Sequence, residues 1–364
     1  MPPFSLLHQQ IHYLRAFSLQ LNTLPSPPTP GPRQLLVKLS AAALNHRDLF
    51  IRQHLYPGIS FTAPFLADGY GTVASLGPDC SPESKQLLHK PVLLTPMRGW
   101  EEDPAGPEDL GKDFVINGSS VGSDVGTAQE WVVVDENEVV AAPEHLTPAE
   151  GAALPLVGLT GWRALVTKAG ATQKGMNVLL TGIGGGVALQ VLQFAVAMGV
   201  RVWVTSGDEG KIERAKGMGA QGGVNYKEKD WDKKLKGLLP ADRPYLDAVV
   251  DGAGGDVVAK TVKLLKPGGV IACYGMTVGP KMDWLMQATL RHVELKGTTM
   301  GSKKEFKDMV DFVREHKIRP VVSKVAKGLD NLEAIEELFE DMKAGRQFGK
   351  LVIQIDAEAE SPKL

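Results

Sequence analysis

Cysteine is nearly absent: Cys80 and Cys273 are the only two in 364 residues. Two thiols cannot build a disulfide framework, and the count fits a reducing compartment, so both read as structural or incidental. No run of about 18 apolar residues occurs, which excludes a membrane-spanning helix. The N-terminus, Met1-Pro-Pro-Phe-Ser-Leu-Leu-His8, lacks a charged segment followed by an apolar core. No secretory signal is read, and the cytoplasm is the expected location. An excess of one charge is missing too. The formal net charge is -2, which leaves no electrostatic case for nucleic acid or an anionic membrane. No internal repeat is visible. What remains is an ordinary globular composition, 43% hydrophobic and 23% charged, in a chain long enough for two domains.

The informative stretch is Asn177-Val-Leu-Leu-Thr-Gly-Ile-Gly-Gly-Gly-Val-Ala188. Residues 178–180 form a short apolar run, read as a buried strand. Gly182, Gly184, Gly185 and Gly186 follow, and Val187 opens an apolar helical pattern that Gly199 ends. Strand, glycine turn and helix place backbone N–H groups and a helix N-terminus against a pyrophosphate. The spacing departs from the usual pattern. With Gly185 central, Ile183 takes the first glycine position and Ala188 the last; read as Gly182-x-x-Gly185-x-x-Ala188, it fits a variant turn. A glycine cluster alone also fits any α/β turn, but the context is repetitive. Residues 199–205 read as a second strand, 209–218 as a helix and 222–226 as a third strand. Strands at 245–251 and 269–275 bracket a helical 257–265. Alternating strands and helices imply a parallel sheet, so the expected class is α/β with a doubly wound Rossmann sheet.

Upstream, strands are expected at 14–21, 34–43, 65–76, 91–95 and 128–134, a small, mostly β domain. A proline-rich link, 25–32, lies among them. Asn45 reads as the cap of a short helix over 45–52. Residues 97–127 form a long loop with many glycines and prolines among acidic residues. Thr147, with Pro148 at N1 and Glu150 at N3, forms a capping box. A second helix is expected at 159–169. After a sixth strand near 293–298, helices at 303–315 and 331–344 alternate with strands at 319–325 and 350–355, and a frayed tail ends the chain.

These residues resemble the medium-chain dehydrogenase/reductase superfamily over about 33–355. The resemblance is carried by Ala41-Ala-Ala-Leu-Asn-His-Arg-Asp48, Gly126-Thr-Ala-Gln-Glu-Trp-Val-Val-Val134, Ala152-Ala-Leu-Pro-Leu-Val-Gly-Leu-Thr-Gly-Trp-Arg-Ala164, Val224-Asn-Tyr-Lys-Glu228 and Gly345-Arg-Gln-Phe-Gly-Lys-Leu-Val352. It is nearest the zinc-independent, quinone-oxidoreductase-like branch, within an alcohol dehydrogenase-like superfamily. It implies a GroES-like β-rich catalytic domain at 1–155, a Rossmann NADP-binding domain at 156–305 and a return to the catalytic domain at 306–364. It also implies a homodimer joined at the Rossmann sheet edge, with 270–274 and 293–298 as candidate edge strands.

Zinc-dependent members use a cysteine, a histidine–glutamate pair and a second cysteine around the metal. Here Asn45 stands at the first position, Ala67-Asp68 at the pair, and no cysteine lies near 154–159. The structural zinc lobe needs four closely spaced cysteines, which this chain lacks. A catalytic zinc needs three protein ligands, so no metal is expected. For the cofactor, NAD-specific Rossmann domains carry Asp or Glu at the end of the second strand. Ser206 occupies that place and can donate to a 2′-phosphate. In the resembling quinone reductases a lysine and a tyrosine hold that phosphate, and Lys211 and Tyr226 stand at matching places. NADPH is therefore expected. Against it stands Asp208, which could turn towards a ribose. Lys211 also reads as a solvated helix lysine and Tyr226 as a half-buried strand aromatic.

Without a metal, hydrogen-bond donors must stabilise the oxygen that gains charge. The resemblance nominates Tyr56, Asn45 and Asp48. Tyr56 is the proton-donor candidate or a pocket wall; Asp48 is a catalytic candidate or holds its loop by hydrogen bonds to backbone. His54 is an acid candidate by residue type, or a surface histidine. Further cofactor contacts carried over by position are Asn45, Thr160, Ala253, Gly254, Tyr274, Gly275, Met276, Met300 and Lys350; Lys350 reaches a phosphate or merely closes the last strand. The expected activity is NADPH-dependent, zinc-free hydride transfer to a quinone, enone or other activated small molecule. Alcohol or aldehyde dehydrogenation, and a catalytically silent NADPH-binding sensor or partner protein, are the alternatives.

Overall fold

The computed structural model describes residues 8–13 and 18–356. Two compact units form: one takes the chain up to Leu156 and resumes at Ser302, the other is Val157–Gly301.

The unit Val157–Gly301 is built on a six-stranded parallel sheet. Its spatial order is Gly222–Asn225, Arg201–Ser206, Asn177–Leu180, Leu246–Asp251, Leu265–Cys273, Glu294–Gly297. In chain order that is third, second, first, fourth, fifth, sixth, the Rossmann arrangement. Asn177–Leu180 and Leu246–Asp251 are buried along their whole length, as expected of strands covered on both faces. Leu179, Val249 and Ile271 share one core with Trp203, Trp231 and Leu235. The winding direction reverses between Asn177–Leu180 and Leu246–Asp251, and in open α/β sheets ligands bind at the carboxyl ends there.

The other unit holds a seven-stranded sheet, in order Val322–Lys327, Lys350–Gln354, Gln34–Ala43, Asp68–Leu76, Pro91–Leu94, Val139–Ala141, with Trp131–Asp135 also pairing Gln34–Ala43. The ten-residue Gln34–Ala43 is its centre: its first half pairs Trp131–Asp135 and its last three residues pair Lys350–Gln354. The helix Pro148–Ala152, closed by the Thr147–Glu150 capping box, covers Ala41, Ala43 and Val352. Gly151 is required there, since a β-carbon would lie 2.2 Å from the Tyr70 ring.

Several expectations change. Residues 14–17 lie outside the described residues; the strand is Leu19–Leu24, paired antiparallel with His8–Tyr13. The loop 97–127 carries a two-residue ribbon, Met97–Arg98 with Val115–Ile116. The helix expected at 159–169 is α-helical over Pro155–Trp162 and widens into a π-helical turn, Arg163–Lys168. The helix Val257–Thr261 stops before Leu265, which already starts a strand. Two helices, Trp231–Leu238 and Met286–Leu290, have no counterpart in the sequence expectation. Leu265–Cys273 is not an edge strand: it is paired on both sides, and Glu294–Gly297 is the outer one.

Candidate functional site

In Val157–Gly301 the glycine turn has the backbone its sequence demands. Gly182 has φ 66° and Gly184 φ 118°, conformations closed to most side chains. Gly185 is the N-cap of Gly186–Ala197, so Gly186 and Val187 stand in the first turn, whose amides have no acceptor within the helix. The turn is pinned to the neighbouring strand: Ile183 N–H donates to Thr205 O at 2.8 Å, and Gly182 N–H to Thr205 Oγ1 at 3.2 Å.

Lys211 folds back over this turn. A β-carbon on Gly184 would lie 2.9 Å from Lys211 Cδ and 3.3 Å from its Nζ. Burial lowers the Lys211 pKa. Ser206 ends the second strand, and its Oγ accepts the Asp208 N–H at 3.1 Å; its own proton can still be donated. The Asp208 carboxylate caps the helix Glu209–Gly217, accepting from Gly210 N at 2.8 Å and Lys211 N at 3.4 Å. Tyr226 is 51% exposed, and its hydroxyl lies 2.9 Å from where a Gly207 β-carbon would be. Lys227, which the motif reading passed over, packs on the same glycine through Cε. The sequence signal for it was only its place one residue after Tyr226.

The other strand ends form a second group. Asp251 accepts from Thr181 Oγ1 at 2.6 Å, Ala253 N at 3.1 Å and Gly254 N at 2.9 Å. Burial raises its pKa. These bonds fix the loop that carries Ala253 and Gly254. Tyr274 lies against Gly252, where burial raises the phenol pKa. Gly275 and Met276 follow it, and Met276 packs over Gly254. Thr160 and Met300, far apart in sequence, meet: the Thr160 hydroxyl donates to Met300 Sδ at 3.7 Å.

The catalytic candidates lie in the other unit, and register brings them together. Ala43 pairs with Asp68 on one side and Val352 on the other. Lys350, two residues before Val352, therefore lies on the same face beside Asp68, and Asn45 lies just past the strand's end. Lys350 Nζ donates to Asn45 Oδ1 at 2.6 Å and Asp68 Oδ2 at 2.7 Å. Asn45 Nδ2 donates to Asp68 Oδ2 at 2.8 Å, and Leu156 N–H to Asp68 Oδ1 at 2.7 Å. Asn45 N–H donates to Asp48 Oδ2 at 2.7 Å, closing the first turn of His46–Arg52. Burial pushes the Asp48 pKa up to about 6 against the opposing pull of Arg47.

Lys350 is 4% exposed and pairs with Asp68 and Asn45, so it is a buried ion-pair lysine. Asn45 is 5% exposed, with both ends of its amide hydrogen-bonded, and so braces this cluster. Asp48 takes the loop-holding alternative. Tyr56 is half-buried, with the Arg47 guanidinium 5.1 Å from its ring centroid. Arg47 is buried and donates to Asn117 O, Gly118 O and Ser120 Oγ. It thus joins Tyr56 to residues 117–120. The sequence reading gave Arg47 no role, since its partners lie some seventy residues on. His54 is exposed, at φ 56°, with its ring against Phe61.

A family model described as alcohol dehydrogenase GroES-like domain matches residues 31–144, and one described as zinc-binding dehydrogenase matches 186–315. The zinc-type alcohol dehydrogenase-like protein YogA of Leptosphaeria maculans is 57% identical over 341 residues, 93% of this chain and 95% of that protein. The zinc-type alcohol dehydrogenase-like protein C1773.06c of Schizosaccharomyces pombe is 30% identical over 90% of this chain and 92% of its own length. A crystal structure of an NAD-dependent alcohol dehydrogenase superposes with a TM-score of 0.83 at 32% identity, covering 96% of this chain and all of the other. The chain belongs to the medium-chain dehydrogenase/reductase superfamily, as an alcohol dehydrogenase-like oxidoreductase of a family that binds nicotinamide dinucleotides.

The zinc in those names meets an unsuitable donor set. Among the described residues no three His, Cys, Asp or Glu side chains gather as metal ligands. Asp68, at the position of the metal-binding pair, already receives an ammonium and two N–H donors. Cys80 and Cys273 are buried free thiols, Cys80 within an aliphatic core with Leu35 and Val37. The glycine turn, by contrast, suits a dinucleotide phosphate: its amides open at a helix N-terminus and no Cβ blocks approach.

Proposed function

We propose that this oxidoreductase is an NADPH-dependent, zinc-free reductase of a small electrophile, a quinone, an enone or another activated double bond. One observation carries the cofactor preference. The end of the second Rossmann strand offers Ser206, Lys211, Tyr226 and Lys227, while Asp208, the carboxylate nearest in sequence, is used as a helix cap. A 2′-phosphate there meets two ammonium groups and two hydroxyls, and charge-assisted bonds to phosphate are the strong ones.

NADPH supplies the hydride. The chain supplies position and polarity. The amides of Gly186 and Val187, at the helix N-terminus that Gly185 caps, receive the pyrophosphate; the fixed Ala253–Gly254 loop and the Thr160–Met300 contact hold the other strand ends. Tyr56 donates a proton to the oxygen that gains charge, with Arg47 stacked on its ring to hold the phenol in place. No step needs a metal.

A panel of quinones, enones and aldehydes with NADPH and NADH tests this. The expected result is turnover on quinones or enones with kcat/KM at least roughly tenfold higher for NADPH, about the worth of one charge-assisted contact. Equal kcat/KM for the two cofactors would remove the preference. The relatives' names favour a second reading, oxidation of an alcohol or reduction of an aldehyde, which the aldehyde arm detects. NADPH binding with no turnover on any arm would point to a silent binder.

A further inference from the structure

One buried, paired lysine of the chain's β-rich unit has no part in the proposed reaction. Lys350 and Asp68 are 4% and 0% exposed and pair at 2.7 Å. A buried charge persists only when paired and hydrogen-bonded, and this one is unusually well connected. Its ammonium joins the first residue of Lys350–Gln354 to the first residue of Asp68–Leu76 and to the N-cap of His46–Arg52. Through Asp68 it fixes the Leu156 amide; through Asn45 it fixes the turn that Asp48 closes and Arg47 occupies.

We propose that Lys350 is the resident cation of this site, and that it is a positioning residue for the Asn45–Tyr56 segment. It neutralises Asp68 and orients the Asn45 amide; the helix that follows then delivers Arg47 and Tyr56. The chemical requirement is a monovalent ammonium at one point, so a lysine cut back to alanine leaves a pocket for an alkylammonium ion. This proposal rests on the metal-free reading for its link to turnover, but its binding and stability arms do not depend on which acceptor is reduced.

The test is the full-length Lys350→Ala enzyme with n-propylammonium, which replaces the missing atoms, and 1-propanol, which fills space without charge. Lys350→Ala should lower the melting temperature and cut kcat at least about tenfold, the scale of a small misplacement of reacting groups, while KM for NADPH stays near wild type. Propylammonium should raise both melting temperature and kcat, and propanol neither. Wild-type kcat and melting temperature in Lys350→Ala, or equal rescue by propanol, would overturn the proposal. The rise in melting temperature is read whether or not the panel yields an acceptor, so failure here is distinct from failure of the reductase reading. If Lys350→Ala does not fold, Lys350→Met and the doubly neutral Asp68→Asn/Lys350→Met enzyme decide. The double variant should regain the stability that Lys350→Met loses, because an unpaired buried carboxylate is worse than none, yet keep the low kcat. No regain, or full kcat in the double variant, would overturn it.

Discussion

A Lys211→Glu enzyme should lose NADPH and keep NADH. Lys211 folds over Gly184, while Tyr226 and Lys227 pack on Gly207, one residue past the second Rossmann strand. Replacing the ammonium by a carboxylate removes one charge-assisted contact and sets a like charge against a 2′-phosphate, which together cost several kcal/mol. The expected rise in KM for NADPH is on the order of 100-fold, with NADH within about threefold, since each 1.4 kcal/mol is tenfold. The fold should be indifferent. Lys211 lies in the first turn of Glu209–Gly217, where a glutamate is favoured by the helix dipole, and Asp208 keeps its cap. Steady-state kinetics with both cofactors reads the split. Parallel losses for both would mean Lys211 meets a part of the dinucleotide that they share.

Gly184→Val should produce that parallel loss. At φ 118° a valine is strained by about 1–3 kcal/mol. Its side chain would also displace Lys211 and stand over the turn that exposes the amides of Gly186 and Val187. Affinity for NADPH and NADH should fall together, by roughly 100-fold or more, if strain and blocked phosphate contacts together exceed about 2.7 kcal/mol. Fluorescence titration of each reduced cofactor measures it, and unchanged binding would show that the turn does not meet the pyrophosphate. The two variants thus separate the shared phosphates from the one that distinguishes NADPH.

The Rossmann unit was largely legible because its signals are local. A strand, a glycine turn and a helix follow one another over Asn177–Ala197; in the other unit, Thr147–Glu150 announces its own cap. The Ser206, Lys211 and Tyr226 grouping was legible for the same reason, each lying at a strand end or first helical turn. What local pattern cannot carry is register. Asn45, Asp68 and Lys350 are hundreds of residues apart at the extremes and meet only because Ala43 pairs with both Asp68 and Val352. So the Lys350–Asp68 pair and its bond to Asn45 left no mark in the local pattern. Strand order is equally invisible: 270–274 and 293–298 look alike as edges, yet only Glu294–Gly297 is one. His8–Tyr13 hid because its polar residues obscure a strand pattern. Lys227 is adjacent to a motif, yet only its packing on Gly207 gives it a place in the site.

The central claim is that this alcohol dehydrogenase-like chain turns over without zinc, although its relatives are named zinc-type. Metal analysis of the purified protein, coupled to NADPH oxidation on the quinone and enone panel with and without a strong chelator, meets that claim directly. The account predicts far less than one zinc per chain and turnover that the chelator leaves unchanged. One zinc per chain, with turnover abolished by its removal and restored by its return, would contradict it.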